Sequence, residues 1–313
     1  MKDKKDMENQ NNHMPTVSIG MPVYNGHRFI REALDSVLAQ TFTDYELIIS
    51  DNASDDDTQL ICNEYCKKYS RIKYVRHKKN LGPYWNFNFV TQNAKGKFIT
   101  LLAHDDILEP MFLEKTVKYM LQEPSAVLVA SDFQIIDQNG TELGVEKLTK
   151  IRGDIDWEKR FVEFFKYPIS NVFFCIYGLM KTEICKSVYQ SAPEPKIATG
   201  SELPILARFA IAGEIVAIPI VLRKYRKHSD SVYSKEVADI SKCSMLRRQS
   251  IKIANQYRLR FDQMAVLWSS SLSLSFKLSI SIKILFFYLM LFFSRLKRIP
   301  SRIIRTLKSR SII

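Results

Sequence analysis

The chain of 313 residues is longer than one average domain, and its hydrophobic content of 46% is that of a globular protein. The net charge of +13 is concentrated at one end, because residues 241–313 contain 15 Lys and Arg but a single acid. Five scattered cysteines exclude a disulfide framework, and we expect them to be reduced thiols. The composition therefore indicates a nearly neutral globular body followed by a basic tail.

Apolar, β-branched runs alternate with helical patterns through the first half of the chain. The runs predict strands near 16–21, 45–50, 72–76, 97–103 and 126–131. The segments between them predict helices near 28–39, 56–69, 84–94 and 110–121. This alternation predicts an α/β protein with a doubly wound, mostly parallel sheet and flanking helices.

The second half of the chain has a less regular pattern. Residues 133–144 predict a hairpin around Asn139-Gly140. The segments that follow predict a helix over 157–166, a strand over 171–177, a helix near 202–212 and a strand over 214–225. We expect 15–132 and 133–240 to be two halves of one domain. Residues 1–14 lack an apolar segment and predict a disordered leader rather than a signal peptide.

Three of the predicted strands end in polar side chains, at Asn25, at Asp51 and at the pair Asp105-Asp106. Parallel sheets bind ligands in the crevice outside the carboxyl ends of their strands. Carboxylates there suit Mg²⁺ or Mn²⁺, which would neutralise a diphosphate. The alternative is that the Asp105-Asp106 pair only caps the helix that we expect to begin around residues 107–110.

Four motifs in order resemble the family 2 glycosyltransferases. They are VSIGMPVYN at 17–25, ELIISDNASD at 46–55, NLG at 80–82 and NAKGKFITLLAHDD at 93–106. The likeness extends from about residue 16 to about residue 231. It implies the GT-A fold and transfer of a hexose from a nucleotide sugar, as in bacterial surface-polysaccharide synthesis.

The resemblance also implies a metal site, because the family binds Mn²⁺ or Mg²⁺ through an acidic D-x-D-type motif. Residues 103–106, AHDD, stand at that place. The family's metal-binding acid falls on Asp105, with Asp106 beside it, and His104 would lie near the ribose of the donor. Ala103 departs from the family pattern, since many relatives have an acid there.

Five residues fall on donor-binding positions of the family. Asp51 matches the acid that binds the uracil base, and Pro22, Tyr24 and Asn25 match the first donor loop. Asn88 matches an asparagine downstream of the N-x-G motif, where Gly82 would serve a backbone turn.

Two of these assignments have structural alternatives. Asp51 would otherwise cap the following helix, although Ser54 and Asp55 lie closer to it. Asn88 would otherwise be an ordinary polar residue of a helix.

The family's catalytic base falls on Glu202, which stands six residues before Arg208 on a predicted helix. Inverting transfer needs a carboxylate that removes the proton of the acceptor hydroxyl. The alternative for Glu202 is a first-turn glutamate favoured by the helix dipole.

Residues 225–231, YRKHSDS, resemble the Y-R-x-H-x-x-S segment of the family. The resemblance implies that Arg226 reaches the donor diphosphate and that His228 binds the metal. A purely structural histidine is the alternative for His228.

The basic tail, 241–313, contains an uninterrupted apolar decade at 284–293, with Lys283 on one side and Arg295 on the other. Ten helical residues span about 15 Å, half of a bilayer's hydrocarbon core. The pattern therefore predicts a helix that lies in the interface of an anionic membrane rather than across it, and it does not favour nucleic acid. Packing of this helix on the body is the alternative.

These observations together predict a metal-dependent inverting glycosyltransferase that is peripheral to the cytoplasmic face of the plasma membrane. The donor would be a UDP-linked hexose and the acceptor a lipid-linked glycan. A nucleotidyltransferase is one alternative, but residues 20–26 supply no cation for phosphate binding. A membrane-tethered module that binds nucleotide sugar without turnover is the other.

Overall fold

A computed structural model describes residues 14–166, 171–192, 202–229 and 258–296, with residues 231, 241 and 244. The strands are β1 (Val17–Val23), β2 (Tyr45–Asp51), β3 (Ile72–Arg76), β4 (Phe98–Leu101), β5 (Ile107–Leu108), β6 (Ala126–Ile136), β7 (Glu142–Glu146), β8 (Leu179–Lys181) and β9 (Glu214–Arg226). The helices are α1 (Ile30–Leu38), α2 (Thr58–Lys68), α3 (Pro83–Asn93), α4 (Phe112–Gln122), α5 (Trp157–Glu163), α6 (Thr182–Ser191), α7 (Glu202–Ala212) and α8 (Leu274–Leu296). Residues 258–269 are also helical. The predicted leader lies almost entirely outside the described residues.

The strands form one nine-stranded sheet in the order β3-β2-β1-β4-β8-β6-β9-β5, with β7 paired to β6. Strands β3, β2, β1 and β4 are parallel to one another, as are β6 and β9. Strand β8 is antiparallel to both its neighbours, and β5 is antiparallel to β9. The carboxyl ends of the first parallel strands therefore meet at one edge of the sheet.

The hydrophobic core forms two clusters, and alternate residues of a strand belong to different ones. Leu47 and Ile49 of β2 pack with α1, α2 and α4, whereas Ile48 between them packs in the other cluster with α6 and α7. Because successive side chains of a strand point to opposite faces, these clusters lie on the two sides of the sheet. The predicted doubly wound arrangement is confirmed.

The segment 171–177 is not the predicted strand but a 3₁₀ helix, Val172–Tyr177. Its buried residues are Val172, Cys175 and Ile176. Residues three and four positions apart lie on one face of a helix, whereas a strand would bury alternate residues. A short apolar run does not distinguish a buried strand from a helix by periodicity. The prediction was wrong for this reason.

The segment after the acidic pair also differs from the prediction. Ile107 and Leu108 form strand β5, which pairs with Lys224 and Arg223 of β9, and the helix begins only at Phe112. A residue before a proline disfavours helical geometry, which explains the late start after Pro110. The pair Asp105-Asp106 is thus too far from α4 to cap it.

The predicted boundary between residues 132 and 133 falls inside β6. This strand pairs with β9 from Ala126 to Ile136, although the register shifts between Ser131 and Phe133. The two predicted halves of the chain therefore share a continuous strand. The predicted hairpin is confirmed, since β6 and β7 are antiparallel and Gly140 has a φ of 84° in their turn.

Helix α8 packs on the body through one of its faces. Ile280 and Ile284 are buried, and the ring of Phe276 lies 5.2 Å from that of Trp157 in α5. The Tyr288 hydroxyl donates to the Phe165 carbonyl at 2.8 Å. Among the described residues, no helix combines the length and the apolar character that crossing a bilayer requires.

Candidate active site

The loop after β1 is held against the loop after β2. The Asn25 amide donates to Ser54 Oγ at 2.9 Å, and Asn25 Oδ1 accepts from the Asp55 amide at 3.0 Å. Asn25 has a φ of 53°, a left-handed conformation that asparagine tolerates. Tyr24 is 44% exposed beside it, whereas Pro22 is buried within β1. The loop after β1 is therefore held in place with Tyr24 on its outside, and its contact with a donor stays a prediction.

The first donor loop also contacts the end of β4 through His104. A Cβ atom on Gly26 would lie only 2.8 Å from Cδ2 of His104, so the imidazole passes directly over this glycine. The Gly26 amide donates to Thr58 Oγ1 at 2.8 Å. The structure thus brings His104 to the same edge as the donor loop.

The Asp51 carboxylate at the end of β2 has no exposed surface. Its Oδ1 accepts from the amide and hydroxyl of Ser54 at 2.8 and 2.6 Å, and its Oδ2 accepts from the Tyr74 hydroxyl at 2.6 Å. Burial and this bond to Asp51 raise the pKa of Tyr74. An edge-on bond from Asp51 to a base therefore requires Ser54 or Tyr74 to move first.

Asp51 does not cap α2 either. At the start of that helix Asp56 Oδ1 accepts from the Thr58 amide at 2.9 Å, and Asp56 Oδ2 lies 2.6 Å from Nδ1 of His27. Burial acts to raise the pKa of Asp56, but the hydrogen bonds from Thr58 and His27 lower it to about 2. The residue that bonds to the start of α2 is therefore Asp56, and not Ser54 or Asp55 as predicted.

Asn52 holds the turn that precedes α3. Its Oδ1 accepts from the Leu81 amide at 2.9 Å, and its Nδ2 donates to Asn80 Oδ1 at 2.7 Å. Gly82 has a φ of 88°, so the turn that was predicted for this glycine is present. Asn52 lies next to Asp51 in the quoted motif, but its side chain was not assigned a role.

The asparagine of α3 that reaches the sheet edge is Asn86, not Asn88. The Asn86 Nδ2 donates to the carbonyls of Val23 and Ser50, at 3.2 and 2.9 Å. Asn88 instead accepts from Gln92 at 3.2 Å, on a surface that faces α6. The assignment of Asn88 to the donor is corrected, because two residues along a helix are turned by about 200°.

The Asp105 carboxylate is paired with His228, which follows β9. The distance between Asp105 Oδ2 and His228 Nε2 is 2.8 Å, and the side chains are 15% and 5% exposed. Burial acts to raise the pKa of Asp105, but the bond to His228 and the nearby His104 lower it. Asp105 therefore remains a carboxylate beside an imidazole at the sheet edge.

The Asp106 carboxylate points into the sheet instead. Its Oδ1 accepts from the Arg226 amide at 3.0 Å, and its Oδ2 lies 3.7 Å from Nη2 of Arg223. Burial and the charge of Asp105 raise the pKa of Asp106 to about 7. Asp106 is 3% exposed and ties the loop before β5 to β9, and its binding of a metal stays a prediction.

Arg226 is buried, and its guanidinium is used within the protein. Nε donates to the Asp105 carbonyl at 2.9 Å, and Nη2 donates to Glu32 Oε2 at 2.6 Å. The guanidinium carbon also lies 4.7 Å from the centre of the Phe29 ring. Its side chain is 1% exposed, so the prediction of a diphosphate contact is corrected to a positioning role under the acidic loop.

The residues present fit a divalent cation in part. No group of three or more His, Cys, Asp or Glu side chains within the described part of the chain is arranged around a common metal position. Asp105 and His228 nevertheless place one oxygen and one nitrogen 2.8 Å apart. Magnesium sites keep several waters and substrate phosphates and need only one or two protein ligands. The pair is therefore suited to a cation that a bound diphosphate completes.

Glu202 is the first residue of α7, as the sequence predicted. Burial is the main cause that raises the pKa of Tyr177. The charges of Glu202, Asp106, Tyr225 and Asp105 raise it further. The charges of Glu202 and of the acidic pair therefore act on the same tyrosine. Its carbonyl accepts from Arg223 of β9.

The fold and this edge of the sheet define a GT-A glycosyltransferase. Residues 18–179, just over half of the chain, match the Glycosyl transferase family 2 model, and the chain belongs to that family. The predicted family and fold are therefore confirmed. The family identity also removes the nucleotidyltransferase alternative.

Related sequences agree with this assignment. An uncharacterized glycosyltransferase of Rickettsia prowazekii is 37% identical over 135 residues, which are 43% of this chain and 41% of that protein. One of Methanocaldococcus jannaschii is 35% identical over 131 residues, which are 41% of this chain and 45% of that protein. The chain thus spans less than half the length of these relatives.

Solved structures share the fold at low sequence identity. S. aureus TarS 1-349 in complex with UDP-GlcNAc has a TM-score of 0.64 and 16% identity, over 86% of this chain and 71% of that one. The mannosyltransferase PcManGT of Pyrobaculum calidifontis, in complex with GDP-Man and Mn²⁺, has a TM-score of 0.53 and 15% identity. That likeness covers 87% of this chain and 80% of that one.

Proposed function

We propose that this glycosyltransferase moves a hexose from a UDP sugar to a lipid-linked glycan, with inversion at the anomeric carbon. The observation that carries the proposal is the Asp105–His228 pair at the carboxyl edge of the parallel strands. The UDP-GlcNAc complex of the structural neighbour TarS supports the choice of donor.

The donor would lie along the edge formed by the loops after β1, β2 and β4. Tyr24 is exposed there and offers a ring on which a base can stack, while His104 covers Gly26 between the loop and the acidic pair. We propose that Asp51 meets the base after a shift of Tyr74, whose hydroxyl now occupies Asp51 Oδ2.

The diphosphate would meet Asp105 and His228. Mn²⁺ or Mg²⁺ held by these two residues would act as a Lewis acid that neutralises the charge growing on the leaving diphosphate. Arg226 holds the Asp105 carbonyl at 2.9 Å and so fixes the loop that carries the carboxylate. The Mn²⁺ complex of PcManGT supports a divalent cation.

Glu202 is the proposed general base. It would remove the proton from the acceptor hydroxyl as the oxygen attacks the anomeric carbon, on the side opposite the departing diphosphate. The charges of Glu202 and of the acidic pair both raise the pKa of Tyr177, which supports this role. The acceptor oxygen forms its bond to the anomeric carbon of the donor hexose as the bond from that carbon to the diphosphate breaks. Because the two bonds lie on opposite sides of the carbon, the anomeric configuration inverts.

The acceptor and the location are proposed from the tail. The basic residues of 241–313 and the apolar residues of α8 suit an enzyme that is peripheral to the cytoplasmic face of the plasma membrane. Lipid-linked glycans of surface polysaccharides are assembled at such a surface, and this matches the expectation from the family.

The decisive experiment is a panel of nucleotide sugars with a glycolipid acceptor, first with Mn²⁺ and then with EDTA. We expect release of UDP and a glycosylated product of inverted anomeric configuration with one UDP-hexose, and loss of both in EDTA. A protein that binds UDP sugars but releases no UDP with any acceptor, or with water, would instead be the binding module without turnover.

A further inference from the structure

Helix α8 has an apolar row on the face that does not touch the body. Its members are exposed by 45–64% and are spaced three and four residues apart. They are Leu274, Leu278, Ile282, Leu285, Phe286 and Leu289. We call these six residues the outward stripe. Single exposed apolar residues are ordinary, but a continuous row of them marks an interaction surface.

The opposite face of α8 fixes the orientation of the stripe. Ile280 and Ile284 are buried in the core, and Lys283 Nζ lies 2.6 Å from Glu158 Oε1 of α5. The ring of Phe276 lies 5.6 Å from that of Phe161. These contacts hold α8 with the stripe directed away from the described body.

The charge of this region indicates what covers it. Between residues 274 and 296 the sequence has Lys277, Lys283 and Arg295 and no acid. Across 241–313 the basic residues outnumber the acidic ones by 15 to one. An apolar row within such a basic stretch of sequence is complementary to an anionic lipid surface, where acyl chains accept the row and headgroups accept cations.

We propose that α8 binds an anionic bilayer through the outward stripe while its inner face stays docked on α5. The predicted interfacial helix and its alternative, packing on the body, are then two faces of one helix. The inference rests on the proposed function only in that both place the acceptor at a membrane. It does not depend on the donor or the metal.

The test uses the full-length protein and vesicle flotation. Vesicles of phosphatidylcholine are compared with vesicles that also contain phosphatidylglycerol. We expect binding to the anionic vesicles, weaker binding to the neutral ones, and a decrease but no loss in high salt, because screening leaves the apolar contribution. Full-length protein that floats with neither kind of vesicle would overturn the proposal.

The matched variants replace two exposed apolar residues in different places. Leu285→Ser/Phe286→Ser alters the stripe, and Leu60→Ser/Leu121→Ser alters exposed leucines of α2 and α4. The stripe variant should bind anionic vesicles about tenfold more weakly or worse, because two large apolar side chains no longer enter the bilayer. The control should bind like the parent protein.

Two further readouts separate the remaining outcomes. Transfer to a short water-soluble acceptor should be equal in the parent and the stripe variant, which shows that the variant is folded. If transfer is absent in both, the proposed function fails while the vesicle result still stands. Light scattering measures the oligomeric state of both proteins. If the parent protein is a dimer that binds no vesicles, and the stripe variant is a monomer, the stripe contacts a second copy and the membrane proposal is overturned.

Discussion

Asp105 and His228 lie 123 positions apart in the chain, yet Oδ2 of the one is 2.8 Å from Nε2 of the other. The contact joins the loop after β4 to the end of β9. Arg226, two residues before His228, stabilises the same junction because its Nε donates to the Asp105 carbonyl. The acidic edge is thus built jointly by the loop after β4 and the end of β9, which are not neighbours in the sheet.

The first prediction concerns this pair. Asp105→Asn should lower turnover by roughly a hundredfold or more, because loss of a Lewis acid costs several kcal/mol of transition-state stabilisation. His228→Gln should lower turnover and raise the Mn²⁺ concentration needed for half-maximal rate. Steady-state rates over a Mn²⁺ titration measure both effects.

The control is Asp154→Asn, which alters an exposed carboxylate in the turn before α5. Normal activity of Asp105→Asn in EDTA would refute the metal assignment.

The second prediction concerns Glu202. Glu202→Gln keeps the size of the side chain but cannot accept a proton, so turnover should fall by about 10²–10⁴-fold with little change in UDP-sugar affinity. Single-turnover rates and equilibrium donor binding measure the two quantities. Glu183→Gln is a matched control, since Glu183 is also in the first turn of a helix. An unchanged rate in Glu202→Gln would move the base to another carboxylate.

The third prediction concerns Arg226. Arg226→Lys keeps the charge but cannot make the bonds to Glu32 and the Asp105 carbonyl together. We expect a loss of about 1–3 kcal/mol in the free energy of unfolding, because the Asp105 carbonyl loses its donor, whereas Glu32, which is 56% exposed, can bond to water. Urea denaturation measures it.

The control for Arg226 is Arg31→Lys, which alters an ion pair with Glu64 whose side chains are 49% and 42% exposed. Such surface pairs contribute about 0–1 kcal/mol. An Arg226→Lys protein as stable as this control would mean that the buried contacts do not fix the loop.

The fourth prediction concerns pH and Asp56. Because folding lowers the pKa of Asp56 to about 2, this carboxylate stabilises the protein above its unfolded pKa of about 4. That contribution is lost as the pH falls from about 4 through about 2. Asp56→Asn should therefore cost about 1–2 kcal/mol at pH 7 and less at pH 3, by urea denaturation at both values.

The matched control is the adjacent Asp57→Asn. Asp57 is at the N-cap position of α2 but makes no side-chain capping bond, so its replacement should change stability by no more than about 0.5 kcal/mol. An equal loss for Asp56→Asn at pH 7 and pH 3 would show that the hydrogen bonds, and not the charge, are responsible.

The strands of the parallel half were predictable because buried runs such as residues 46–50 end abruptly at an acid. The roles of the second-half residues were harder to predict. Arg226 was predicted to contact a diphosphate, but its guanidinium is buried and bonds to Glu32, 194 positions away. Asp106 looks equivalent to Asp105, and only the position of β9 shows that it points inward.

The asparagine of α3 illustrates a different limit. Family spacing pointed to Asn88, while the contacts with Val23 and Ser50 are made by Asn86. Both residues lie on the same helix, and the side that faces the sheet is decided by tertiary packing. A sequence pattern with polar residues at both positions does not contain that information.

The separation between Glu32 and Arg226 has a consequence for synthesis on the ribosome. At about 5–20 residues per second, roughly 10–40 s pass between the emergence of the two side chains. A nascent chain that ends near residue 179, where the family match ends, has β1, β2, β3 and β4 but neither Glu202 nor His228. It also lacks β9, which lies between β6 and β5 in the finished sheet. With the roles proposed for Glu202 and His228, the ability to transfer a sugar is acquired late in the life of each new molecule, long after its first strands can pair.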